Sequence, residues 1–166
     1  MGSQKALFLS HAHADVGTAS AFAAWLEDAF DPPVKVICTS RATDHIDRGM
    51  ITGGILERLQ QCDVALAFLT PHAMASPWVY YEMGAAQALR KVFIPCMTGG
   101  LSYSDLPPQA FEYQGALLQQ ADEIQRLIRA LSQILDLSVR EGLDMTSLIG
   151  RMEGASPKSA GTAAVE

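Results

Sequence analysis

Two groups of residues in this chain have the types and the spacing to do chemistry. Trp78 and Glu82, in Trp78-Val79-Tyr80-Tyr81-Glu82, stand four residues apart. On a helix that spacing puts an aromatic ring and a carboxylate on one face. A carboxylate beside a flat apolar wall can stabilise a developing positive charge or orient sugar hydroxyls, as in glycosidic bond cleavage. The same spacing also fits a packing helix with a buried tryptophan and an exposed glutamate. The second group is Ser10-His11-Ala12-His13-Ala14-Asp15. Two imidazoles and a carboxylate suit zinc, so a metal reading is open. It is incomplete: position 16 is valine, and downstream only His45 and His72 remain, neither in a ligand motif.

The elements that must position these residues are legible. Ala6–Ser10, Val34–Thr39, Val64–Thr70 and Val92–Met97 are continuously apolar, the pattern of strands covered on both faces in a parallel sheet. A fifth short strand falls near Gly115–Leu118. Between them run helix-period segments. Ala19, Phe22, Ala23, Leu26 and Phe30 form one stripe over Val16–Phe30, and Ile51, Ile55, Leu59 and Cys62 another over Met50–Cys62. Asp31-Pro32-Pro33 stops the first of these. Ser76-Pro77 reads as N-cap and first helical position of a helix to about Leu89. A long loop with Gly99-Gly100 and Pro107-Pro108 follows. Ile124, Leu127, Ile128, Leu131 and Ile134 or Leu135 then mark the clearest helix.

Alternation of strand and helix predicts a three-layer α/β sandwich with right-handed crossovers. Ligands in such sheets bind beyond the carboxyl ends of the strands. That points to residues 10–15, 40–49, 71–78 and 98 onward. A phospho-receiver domain shares this architecture but needs an acidic cluster at the first strand and a lysine near the fifth, and neither is evident.

The bulk numbers narrow the classes further. The 166 residues, 49% apolar and 18% charged, suit one globular domain with a single good core. A formal charge of −6, spread without runs, argues against a nucleic-acid binder. No apolar run reaches the roughly 18 residues of a membrane span, and no signal peptide precedes the first strand. Cys38, Cys62 and Cys96 form no C-x-x-C pair, which suggests a reducing compartment. A cytoplasmic protein is the expectation.

Order and spacing carry more than any single motif. Phe8-Leu9-Ser10-His11 is followed by an acidic residue before the first helix, and a second strand ends at Ser40 with a loop leading to Gly49. Leu69-Thr70-Pro71, then Ser76-Pro77-Trp78 with Glu82, then Asp105-Leu106-Pro107-Pro108 complete the series. Over roughly residues 5–136 the chain resembles a bacterial Toll/interleukin-1 receptor (TIR) domain of the NAD-cleaving, anti-phage-signalling type.

The resemblance implies a flavodoxin-like five-stranded parallel sheet with helices on both faces. The TIR domain would span 1–140, and 141–166 would be a tail, partly helical or disordered. It implies an NAD+ glycohydrolase or ADP-ribosyl cyclase that breaks the nicotinamide–ribose bond, with Glu82 catalytic and Trp78 beside it. Ser10, His11 and Ser40 would line the cleft. Arg41 and Asp44, in the loop after the second strand, would contact phosphate or ribose. NAD+ is then substrate, with no cofactor and no metal. TIR–TIR self-assembly or an activating partner protein would control the enzyme, in prokaryotic immune defence. Two other readings compete: a non-catalytic TIR scaffold, and a small metal-dependent hydrolase on His11, His13 and Asp15.

Overall fold

A computed structural model describes residues 4–38, 51–110 and 114–156. The chain runs β1 (Ala6–Ser10), α1 (Val16–Asp28), β2 (Phe30–Asp31), β3 (Lys35–Cys38), α2 (Ile51–Gln61) and β4 (Val64–Leu69). It continues through α3 (Pro71–Met74), α4 (Pro77–Ala88), β5 (Val92–Met97), β6 (Ala116–Leu117), α5 (Ala121–Leu135), β7 (Ser138–Val139) and α6 (Met145–Ala155). Five strands form one sheet in the order β3-β1-β4-β5-β6, and every pairing in it is parallel.

The unbroken apolarity of the strands follows from coverage on both sides. Side chains alternate across a strand, and here the two sets enter different cores. Leu7 and Leu9 of β1, with Val64, Leu66 and Phe68 of β4, face a core shared with α1, α5 and α6. Ala6 and Phe8 of β1, with Ala65, Ala67 and Leu69 of β4, face a second core shared with α2 and α4. Phe22 of α1 meets Phe68 of β4 with ring centroids 5.8 Å apart. Burying either ring stabilises the fold by about 1.5–3 kcal/mol.

The helix stripes behave as their spacing requires. Ala19, Phe22, Ala23, Leu26 and Phe30 are all fully buried, although α1 ends at Asp28 and Phe30 belongs to β2. On α5, Leu135 turns inward while Ile134 faces solvent. Ser76 occupies the N-cap of α4, but its side chain makes no capping hydrogen bond; Pro77 at the first position leaves one fewer N–H to satisfy.

Three features escape the sequence pattern. β2 and β7 pair as a two-residue antiparallel ribbon. α3 is a single turn, capped by the Thr70 hydroxyl, which accepts from the Ala73 amide at 3.1 Å. α6 packs against α1 with Leu148 and Met152 in the core, within the segment set apart as a tail. Gly17 permits that approach, since a Cβ there would lie 3.2 Å from the Ala155 carbonyl.

The segment after β5 is fastened at Tyr103. Its hydroxyl donates to the Glu123 carboxylate at 2.5 Å, lies 3.0 Å from the Gly115 carbonyl, and accepts from Arg126 at 2.8 Å. Among the described residues, no helix is long and apolar enough to cross a membrane.

Candidate active site

Position in α4 decides the character of Glu82. Val79, Glu82, Met83 and Ala86 are the buried residues of that helix, at spacings of three and four. Glu82 therefore occupies the stripe that faces the sheet, where packing alone would call for an apolar side chain. It is 1% exposed. Burying a carboxylate costs several kcal/mol unless donors reach it, and Ser10 supplies one: its hydroxyl donates to Glu82 Oε2. Ser10 is the last residue of β1, so the pair sits at the carboxyl end of the sheet's central strands.

Trp78, one turn earlier, is the reverse of the packing expectation. It is 37% exposed, and its indole stacks on Tyr81, itself 40% exposed, at 5.6 Å and 29°. The result is a flat aromatic surface on the same helix as a buried carboxylate. Tyr81 was not singled out in the sequence, although an aromatic pair at i and i+3 is a readable signal.

His11 is buried at 3% exposure, with Nδ1 2.8 Å from the Ala12 carbonyl. Burial holds its pKa below the ordinary imidazole value, against the opposing effects of that hydrogen bond and of Asp15 nearby. The imidazole is thus enclosed just past the end of β1. His13, by contrast, is exposed.

Asp15 makes a separate network. Its carboxylate, 2% exposed, accepts from Thr70 Oγ1 at 2.5 Å and faces His72 Nδ1 at 3.2 Å. Asp15 stands at the N-cap of α1 without capping it by its side chain. It ties the turn after β1 to the turn after β4 and orients an exposed imidazole. Sequence alone offers no link between positions 15 and 72. His11 thus bonds to the Ala12 carbonyl and Asp15 to Thr70 and His72, while His13 is exposed. Among the described residues, no three histidine, cysteine or acidic side chains are grouped so as to hold a metal.

Glu82 and Ser10 thus meet at one rim of the sheet, with His11 following Ser10 and the exposed Trp78 one turn before Glu82 on α4. Ser40, Arg41 and Asp44 lie outside the described residues.

The comparisons with known proteins agree with this architecture. Two structures of a metazoan TIR-STING receptor from C. gigas share the fold. One, at 18% identity and a TM-score of 0.58, aligns over 76% of this chain and 40% of the receptor chain. The other, in complex with 2′,3′-cGAMP, gives 18% identity and 0.55 over 88% and 38%. The chain thus spans about two fifths of those receptor chains. The TIR domains of the activated Roq1 resistosome, which directly recognises the pathogen effector XopQ, are 14% identical with a TM-score of 0.50, over 91% of this chain and 98% of that one. No curated protein sequence matches. A family model described as the TIR domain matches residues 7–132, from near the start of β1 to near the end of α5. With that span and this sheet order, the chain belongs to the TIR-domain family.

Proposed function

We propose that this TIR domain is an NAD+ nucleosidase, of the glycohydrolase or ADP-ribosyl cyclase type, with Glu82 as its catalytic residue. The observation that carries the reading is the buried carboxylate in the apolar stripe of α4, bonded to Ser10 at the strand ends and neighboured by the exposed Trp78–Tyr81 stack. A structural helix gains nothing by placing a carboxylate there. A site that must offset positive charge does.

In the proposed reaction the bond between the nicotinamide nitrogen and ribose C1′ breaks, and its electron pair leaves with nicotinamide. Positive charge develops on the ribose, and the carboxylate of Glu82 stabilises it. Water, or a hydroxyl of the same molecule, then adds at C1′ and releases its proton to solvent. Ribose hydroxyls take the place of the Ser10 hydroxyl on Glu82, and Ser10 and His11 contact the substrate. Trp78 stacks on a flat ring and sheds water from the site, which strengthens the electrostatic effect. Ser40, Arg41 and Asp44 complete the substrate contacts. NAD+ is substrate, and no metal or cofactor enters the scheme.

Self-assembly, or an activating partner, controls the reaction in prokaryotic immune defence, in the cytoplasm. In support, the Roq1 TIR domains belong to an activated resistosome. The test is mass spectrometry of NAD+ incubated with concentrated protein. Nicotinamide together with ADP-ribose or a cyclised isomer supports the reading; intact NAD+ at every protein concentration overturns it.

A scaffold reading draws on a different observation. Trp78, Tyr80 and Tyr81 expose three large rings on one short helix, a surface suited to contact with another protein. A Glu82 variant that loses turnover yet still supports the cellular response would favour it.

A further inference from the structure

On the sheet face opposite α4, helix α5, strand β7 and the turn into α6 form a cleft with a volume of about 350 Å³. Gln125, Ile128 and Arg129 line one wall, at the i, i+3 and i+4 positions that share a helix face. Leu143 and Met145 complete an apolar floor with Ile128. Val139 and Arg140 also line the cleft.

The walls are held independently of any occupant. Val139 pairs with Phe30, the Arg140 amide donates to the Ala29 carbonyl at 2.9 Å, and the Ser132 hydroxyl donates to the Leu137 carbonyl at 2.6 Å. Gly142, at φ +76°, makes the turn that carries the chain over the cleft. A preformed site of this size falls in the range of small-molecule pockets, roughly 300–1,000 Å³.

Its charge is opposite to that of the protein. The chain carries −6 overall, yet the cleft presents two guanidinium groups, and no carboxylate lines it. Among the described residues, neither guanidinium has an ion-pair or side-chain hydrogen-bond partner. Arg126, one turn before Arg129 on α5, by contrast bonds through Nη2 to Glu123, Tyr103 and the Gly115 carbonyl. Guanidinium is weakly hydrated and matches carboxylate or phosphate oxygens with paired donors. We propose that this cleft binds a small amphipathic organic anion, with its apolar body on Ile128, Leu143 and Met145 and its acidic group between Arg129 and Arg140.

The site lies in a different core from Glu82, so its test reads binding and does not depend on turnover. The probe is 8-anilinonaphthalene-1-sulfonate, an aromatic body with one sulfonate, titrated into the full chain and followed by fluorescence and amide NMR shifts. One saturable site is expected, with shifts centred on residues 125–129 and 139–145. Arg129→Gln with Arg140→Gln weakens binding by about tenfold or more with the melting temperature preserved. Leu143→Glu, on the half-exposed floor, abolishes it. Octanoate displaces the dye. The proposal is overturned if the double arginine variant binds as wild type does, if the shifts fall elsewhere, or if no saturable binding occurs below about 1 mM. It is equally overturned if a tetraglutamate peptide displaces the dye and octanoate does not, since the cleft would then take an acidic protein segment.

Discussion

The bond between Ser10 and Glu82 can be weighed without reference to activity. Ser10 is 2% exposed and Glu82 1%, so water does not compete for either group. A hydrogen bond to a charged acceptor contributes about 1.5–3 kcal/mol. Ser10→Ala removes that donor while leaving the carboxylate in place, and costs about 2 kcal/mol. In a domain of this size each kcal/mol moves the melting temperature by about 2–4 °C, so the variant melts about 4–8 °C lower. Glu82→Leu behaves differently: it fills the stripe beside Val79 and Met83 and removes a buried charge, so its own cost is smaller. In the double variant the serine no longer matters to residue 82. Urea unfolding of all four proteins, at a common slope, yields the coupling energy. The expected value is about 1.5–3 kcal/mol. A coupling under about 0.5 kcal/mol would refute the reasoning, because contacts that matter exceed that threshold. The two groups would then be neighbours without a bond of consequence.

Three further outcomes follow from the geometry. Gly115→Ala places a Cβ 2.8 Å from the Pro95 carbonyl, in the backbone of a sheet strand; it destabilises by about 1–3 kcal/mol, and an unchanged melting temperature would contradict the structure. Asp15→Ala strips partners from Thr70 and His72 and costs about 2–4 kcal/mol in urea unfolding, whereas His72→Ala, at an exposed side chain, costs under about 1 kcal/mol. His11 is held below its ordinary pKa by burial, so as pH falls below about 6.5 the unfolded chain takes up a proton first and stability is lost. Urea midpoints at pH 7.5 and 5.5 should therefore differ less in His11→Gln than in wild type, and equal acid losses would sink the assignment.

How much of this was legible beforehand depended on the range of the interaction. β1, β4 and β5 were readable because each strand serves two cores and so is apolar throughout. The stripe on α5 was readable because the helical period is local, though only packing chose Leu135 over Ile134. β2 and β7 were not, since two residues carry no period and their pairing spans more than a hundred positions. Residues 141–166 read as a tail, partly helical or disordered, and the docking of α6 on α1 did not show because only Leu148 and Met152 are buried in that helix, amid glycines and polar residues. At the site, the 78–82 spacing and the end of β1 picked out Glu82 and Ser10, which the structure joins by a hydrogen bond. The inversion of Trp78 and Glu82 did not show: a lone tryptophan reads as core and a lone glutamate as surface, and only the partner at Ser10, seventy-two residues away, tips the balance. The Asp15–His72 pair likewise depends on two strand ends meeting in space.

The central claim is that the Glu82 carboxylate does the chemistry. At about 4 Å and an effective dielectric near 20, one negative charge stabilises a full positive charge by about 4 kcal/mol, or about a thousandfold in rate. The direct measurement is nicotinamide release from NAD+ by wild type and Glu82→Gln, at protein concentrations that permit assembly and with folding checked by circular dichroism. Wild type should release nicotinamide, and Glu82→Gln should do so about a thousandfold more slowly with its fold intact. Equal release by both proteins, or none by wild type, would contradict it.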